Sequence, residues 1–101
     1  MSGKPPERPV GPAVLREAAV WIAEDNPAAA EAVLAAAIGA ARRLQERPKL
    51  GRVRLELAPE RYRFWSLRGF PYLLVYDAEA DPPIILRFVH QSRDLPAVLD
   101  F

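Results

Sequence analysis

The Asn26-Pro27 pair constrains this chain more than any other feature. Upstream of it, Val14, Leu15, Ala18, Trp21 and Ile22 recur at three- and four-residue spacings between Pro12 and Asp25, which makes one apolar stripe on a helix. Downstream, Ala30, Leu34, Ala37, Ile38, Ala41 and Leu44 repeat the pattern from Ala28 to Glu46. Asparagine is a favoured N-cap and proline fits a first helical turn, so the pair stops one helix and starts another. Two amphipathic helices joined this tightly form a hairpin, and its apolar side needs a covering layer.

After Gly51 the period changes. Val53, Leu55 and Leu57 alternate with Arg52, Arg54 and Glu56, which predicts a half-exposed strand ended by Pro59. Arg61 to Leu67 reads as an aromatic-rich strand and Arg68-Gly69 as a turn; the apolar run Tyr72 to Tyr76 suits a central strand covered on both faces. Asp77 to Pro83 makes the next turn and Ile84 to Val89 the last strand, and Asp94 suits the cap of a short helix from Leu95 to Asp100. The expected class is α+β, an N-terminal helical hairpin packed on a small antiparallel β-sheet with a short C-terminal helix. With 101 residues the chain fits one core, expected over 9–101 after a loose lead-in at 1–8.

Composition narrows the chemistry. The absence of cysteine removes disulfides and thiolate metal sites, and a single histidine removes a nitrogen-rich zinc site, so neither metal nor cofactor is expected. The opening MSGKPPERPVGP has four prolines and no apolar core of a signal peptide. The longest apolar run, Ala32 to Ala41, falls far short of the roughly 20 residues of a membrane span. A cytoplasmic protein without a membrane partner is expected. The net charge of +1 hides a basic middle: Arg42 to Arg68 carries nine Lys or Arg against three acids, a balance of +6, between flanks of −2 and −3. Such a segment is either a solvated face or a surface for an anionic partner.

The stretch ILRFVHQSRDL holds the only histidine, His90, with Arg87, Arg93 and Asp94 close by. Histidine titrates near neutral pH and can serve as an acid or base. Regular alternation would place Leu86, Phe88 and His90 on one strand face, with Ile85, Arg87 and Val89 on the other. His90 would then end the apolar face as a hydrogen-bonded strand-end residue, the favoured reading; catalysis with Arg87 and Arg93 is the minority one.

Taken together, WIAEDNPAAAEAVL, PKLGR, RFWSLRGFPYLLVYD and ILRFVHQSRDL resemble the ParE branch of the ParE/RelE toxins of type II toxin–antitoxin systems, over Pro9 to Leu99. The resemblance implies a helical hairpin on a small antiparallel sheet. It also implies a cognate antitoxin with a ribbon-helix-helix DNA-binding part and a flexible tail that wraps the toxin. The ParE branch poisons DNA gyrase, whereas the RelE branch cleaves messenger RNA on the ribosome.

Metal-free RNA cleavage needs a group to activate the 2′-hydroxyl, another to protonate the leaving oxygen, and cations for the phosphate. After His90 the tail QSRDLPAVLDF offers one arginine, no lysine and no tyrosine, a thin set. A gyrase poison needs only a binding surface, so gyrase inhibition is the expected function. Ribosome-dependent cleavage and a non-toxic antitoxin-binding homologue are the alternatives. Arg54, Arg61, Arg63, Arg87 and Arg93 are the candidate target contacts, with Arg61 and Arg63 facing outward beside Trp65; DNA is expected to be met only through the partners. Leu15, Trp21, Trp65 and Phe70 are the candidate antitoxin contacts, Trp21 and Leu15 lining one groove.

Overall fold

The computed structural model describes residues 10–99 and 101. Two helices, α1 (Pro12–Asp25) and α2 (Pro27–Glu46), are followed by a 3₁₀ turn (Pro48–Leu50) and four strands, β1 (Arg52–Val53), β2 (Tyr62–Ser66), β3 (Tyr72–Asp77) and β4 (Ile84–His90). A short helix, α3 (Leu95–Leu99), comes last. The strands form one antiparallel sheet in the order β1-β2-β3-β4. The expected lead-in at 1–8 lies outside the described residues.

Asn26 makes the hairpin. Its backbone N–H donates to the Ile22 carbonyl at 3.0 Å and closes α1, while its side-chain oxygen accepts from the Ala29 N–H at 3.1 Å and opens α2. The start of α1 is tied to the sheet by the Gly11 N–H, which donates to the Ile85 carbonyl at 2.7 Å. Val14, Leu15, Ala18 and Ile22 are buried on α1 as the periodicity predicts, but Trp21 is 40% exposed. On α2 the buried line is Ala30, Val33, Ala37, Ala40 and Leu44. Val33 and Ala40 join Ala30, Ala37 and Leu44 in the inner row, while Leu34 and Ala41 are only partly buried beside it and Ile38 is exposed.

β3 is the central strand, and Leu73, Leu74, Val75 and Tyr76 are all buried on it. Leu74, Tyr76, Leu67, Ile85 and Phe88 face the helices. Leu73, Val75 and Phe64 face the other way, under Leu99 and Ala58, with Leu57, Leu95 and Val98 alongside. Phe101 stacks on Tyr62 with ring centres 4.7 Å apart. The second face of the sheet is therefore covered, not solvated.

Two strand expectations are corrected. The alternation from Val53 to Leu57 does not extend β1 past Val53: the N–H groups of Leu57 and Ala58 donate to the Arg54 carbonyl at 2.9 and 3.1 Å, closing a turn. That turn delivers Ala58 to the second core and leaves Leu55 71% exposed. In β4 the register shifts, Val75 pairing with Arg87 and Tyr76 with Ile85, so Leu86 is an extra residue. The bulge moves Ile85 onto the helix side with Phe88, against the regular alternation.

The P-x-x-G-R element has a structural explanation. The Tyr76 hydroxyl accepts from the Gly51 N–H at 2.8 Å and donates to the Pro48 carbonyl at 2.6 Å. Arg63 Nη1 donates to the carbonyls of Gly51 at 2.8 Å and Lys49 at 3.2 Å. A Cβ on Gly51 would stand 2.5 Å from the Tyr76 hydroxyl oxygen, so only glycine lets the chain pass.

Candidate functional site

α1 lies along β4, and an open groove of about 730 Å³ runs beside them, bordered by Trp21, Asp25, Tyr72, Phe88, His90 and Arg93. A second concavity, with Glu17, Leu86 and Arg87 in its wall, shares Trp21, Phe88, Val89 and Val98 with the first. The two form one channel between α1 and α3. Its centre is aromatic: Tyr72 and Phe88 stack at 5.2 Å, and Trp21 leans on both at 5.8 and 6.5 Å.

His90 sits at the rim of that cluster, its ring edge-on to Tyr72 at 5.3 Å. The Ser92 N–H donates to His90 Nδ1 at 3.1 Å, and Ser92 Oγ is 2.7 Å from the same nitrogen. With a backbone N–H aimed at Nδ1, the neutral ring carries its proton on Nε2. Arg93 borders the same groove, and its N–H donates to the His90 carbonyl at 3.1 Å. Arg87 pairs with Val75 and His90 with Tyr72, so the strand sends their side chains to opposite faces. There Arg87 lies over Phe101 at 5.5 Å and Nη1 donates to the Leu86 carbonyl at 2.8 Å.

The other candidate arginines separate by their partners. Arg61 forms a two-pronged ion pair with Asp77, Nε to Oδ1 at 3.1 Å and Nη2 to Oδ2 at 2.9 Å. Arg54 pairs with Glu56 at 3.1 Å and lies over the Phe64 ring at 5.7 Å. Arg63 does not face outward as alternation with Trp65 suggested, because its face is the helix side and its guanidinium is engaged by backbone carbonyls. Trp65 and Phe70 are half-buried against the hairpin core, with Arg43 over the Trp65 ring at 5.5 Å. Leu15 is buried and borders a different hollow, beside Ile38 and Arg42, so it shares no groove with Trp21.

Residues 13–95 match the family model described as the ParE toxin of the type II toxin-antitoxin system, parDE. The chain belongs to this family. No curated protein and no solved structure gives a significant match. A ParE-family toxin implies an antitoxin partner, and among the described residues no helix is long and apolar enough to cross a membrane.

In this ParE-family toxin three arginines outside the candidate set, Arg43, Arg52 and Arg68, stand around Trp65 and Ser66. Their signal was the +6 segment, in which sequence does not distinguish the arginines tied down by the fold from those left outside. Asp25 and Tyr72 were missed at the other groove, because a helix end and a central strand meet there only in three dimensions.

Proposed function

We propose that this ParE-family toxin inhibits DNA gyrase by binding it, without chemistry of its own, in the cytoplasm, until a cognate antitoxin covers the channel along β4. The dispersal of the titratable and cationic groups supports a binding role. His90 and Arg93 border one end of the channel; Arg87 borders its other end with its guanidinium turned over Phe101, Arg61 is paired with Asp77, and Arg63 with backbone carbonyls. Two-group proton transfer on a ribose and its leaving oxygen needs an acid and a base within hydrogen-bond reach of one substrate.

The channel suits an extended antitoxin segment. The Gln91 N–H donates to the Pro71 carbonyl at 2.8 Å, and pairing alternates from there, so the backbone groups of Phe88 and His90 turn away from β3 into the channel. A strand added there would find Trp21 as an aromatic anchor beside it. The antitoxin tail carrying that segment is expected to follow a ribbon-helix-helix part that binds DNA.

The test is supercoiling by purified gyrase with and without folded toxin, scored also for trapped double-strand breaks. Loss of supercoiling or accumulation of breaks is expected, and adding antitoxin should restore activity. Unchanged supercoiling and no breaks at saturating toxin would overturn the gyrase target. Cleavage of messenger RNA on translating ribosomes would replace it with the nuclease alternative.

A further inference from the structure

β1 covers β2 only opposite Phe64 and Arg63, so β2 continues past its neighbour to an uncovered edge at Trp65 and Ser66. Two concavities meet at that edge and share both residues. Arg43 and Arg68 stand in the wall of one, where α2 presents Ala36, Gly39 and Ala40 and leaves open space beside Gly39. Arg52 and Arg54 stand in the wall of the other. Among the described residues no acidic side chain borders either hollow. Arg54 leans toward Glu56, but Arg43, Arg52 and Arg68 make no ion pair among the described residues.

We propose that this edge binds the phosphodiester backbone of duplex DNA, one phosphate to each guanidinium, with Arg43 and Arg68 on one side of Ser66 and Arg52 and Arg54 on the other. Guanidinium groups fit phosphate oxygens in a two-pronged arrangement, and these four, with only the exposed Glu56 carboxylate beside Arg54 to compete among the described residues, form a complementary surface. An acidic peptide fits less well. The Leu67 N–H donates to the Tyr72 carbonyl at 2.9 Å, so by alternation Ser66 is the residue whose backbone faces the open edge before the Arg68-Gly69 turn. A single residue is too short an edge for strand addition, and side-chain charge must supply the affinity. Single-stranded RNA needs open aromatic faces for stacking, whereas Trp65 has Arg43 over its ring and the hairpin core behind it. The choice of DNA is also in line with the proposed gyrase target, but the contact is a property of the toxin alone.

The experiment is fluorescence anisotropy of a short labelled DNA duplex with the free full-length toxin across a salt series. If four phosphates are engaged, log K falls against log salt with a slope of about −3.6, at roughly 0.9 per phosphate. The Arg43→Gln/Arg52→Gln/Arg68→Gln variant should reduce the slope to about −1. Arg16→Gln, on the exposed side of α1, should leave it unchanged. Circular dichroism checks that each variant is folded. Equal slopes for wild type and triple variant overturn the proposal, as do tighter binding of single-stranded RNA of the same length or equal competition by polyglutamate at matched charge. Absence of DNA binding by the unmutated toxin with intact gyrase inhibition sinks this site alone; DNA binding by the unmutated toxin without gyrase inhibition sinks the gyrase target alone.

Discussion

The two edges of the sheet are fastened by different physics. At β4 the edge is held by apolar and aromatic contact: α1 lies along it, Phe88 is buried, and Trp21, Tyr72 and Phe88 pack ring on ring. At β1 the edge is held by hydrogen bonds, with Tyr76 and Arg63 joining three backbone carbonyls and one N–H of the segment Pro48 to Gly51. Apolar contact is non-directional and leaves a groove whose outline a partner can share. Hydrogen-bonded closure fixes a path for the chain, and a missing partner is expensive there. The β4 edge thus suits a protein segment, while the β1 side presents guanidinium groups on a rigid base.

The largest effect is expected at the apolar edge. Phe88→Ala removes a buried ring that touches Trp21 and Tyr72, and should lower unfolding stability by about 3–5 kcal/mol. Urea denaturation monitored by tryptophan fluorescence measures it. A loss below about 1 kcal/mol would mean that α1 can be repacked on β4 without that ring, and the contrast between the edges would fail.

A smaller loss is expected at the hydrogen-bonded edge. Tyr76→Phe keeps the ring but strands the Gly51 N–H and the Pro48 carbonyl, which costs about 1–3 kcal/mol if both stay buried. Gly51→Ala forces a Cβ against the Tyr76 hydroxyl and should destabilise by a similar amount, about 1–3 kcal/mol. If the overlap with the Tyr76 hydroxyl is what matters, the pair of changes should be less than additive, because phenylalanine removes the oxygen that the new methyl meets at 2.5 Å and leaves only the ring carbon Cε1 at 2.7 Å. Full additivity in the double variant would show that the ring carbon or Arg63, not the hydroxyl, sets the requirement for Gly51.

The same contrast explains what the sequence made legible. Helix ends set by local chemistry were readable, as at Asn26, whose two hydrogen bonds reach only four and three residues along the chain. The central strand was readable because burial on both faces leaves an unbroken apolar run. Val53 to Leu57 misled because alternation there is also compatible with a turn, and the decision came from Ala58 finding a second core built by Leu99, far along the chain. Arg63 misled for a related reason: its partners are backbone carbonyls, which have no residue-type signature. The bulge at Leu86 left no local mark, and it alone moved Ile85 to the helix side. At the candidate sites, sequence found Trp21 and His90 but not Tyr72 or Asp25 beside them, and found a basic segment but not which arginines remain outside.

The smallest effects are expected from pH, and they fall at two adjacent residues of β3. Burial raises the Tyr76 hydroxyl above its ordinary 10.0, against the opposing pull of the Gly51 N–H and the Arg63 charge. The native state therefore holds this proton more tightly than the unfolded chain. Its contribution is complete below about pH 10 and is lost as pH rises through the folded value. Asp77 runs the other way. Burial alone would raise its carboxyl, but hydrogen bonds from Arg61 and from the N–H groups of Glu79 and Ala80 outweigh burial and hold it below 3.8. That contribution is present above about pH 4 and is lost as pH falls through the folded value. Denaturant midpoints measured from pH 2 to 11 should therefore decline at both ends. Tyr76→Phe should flatten the alkaline limb only, and Asp77→Asn the acid limb only. If Asp77→Asn left the acid limb unchanged, the two-pronged pair with Arg61 would be too well solvated to matter, and the tie from the start of β2 to the end of β3 would rest on backbone pairing alone.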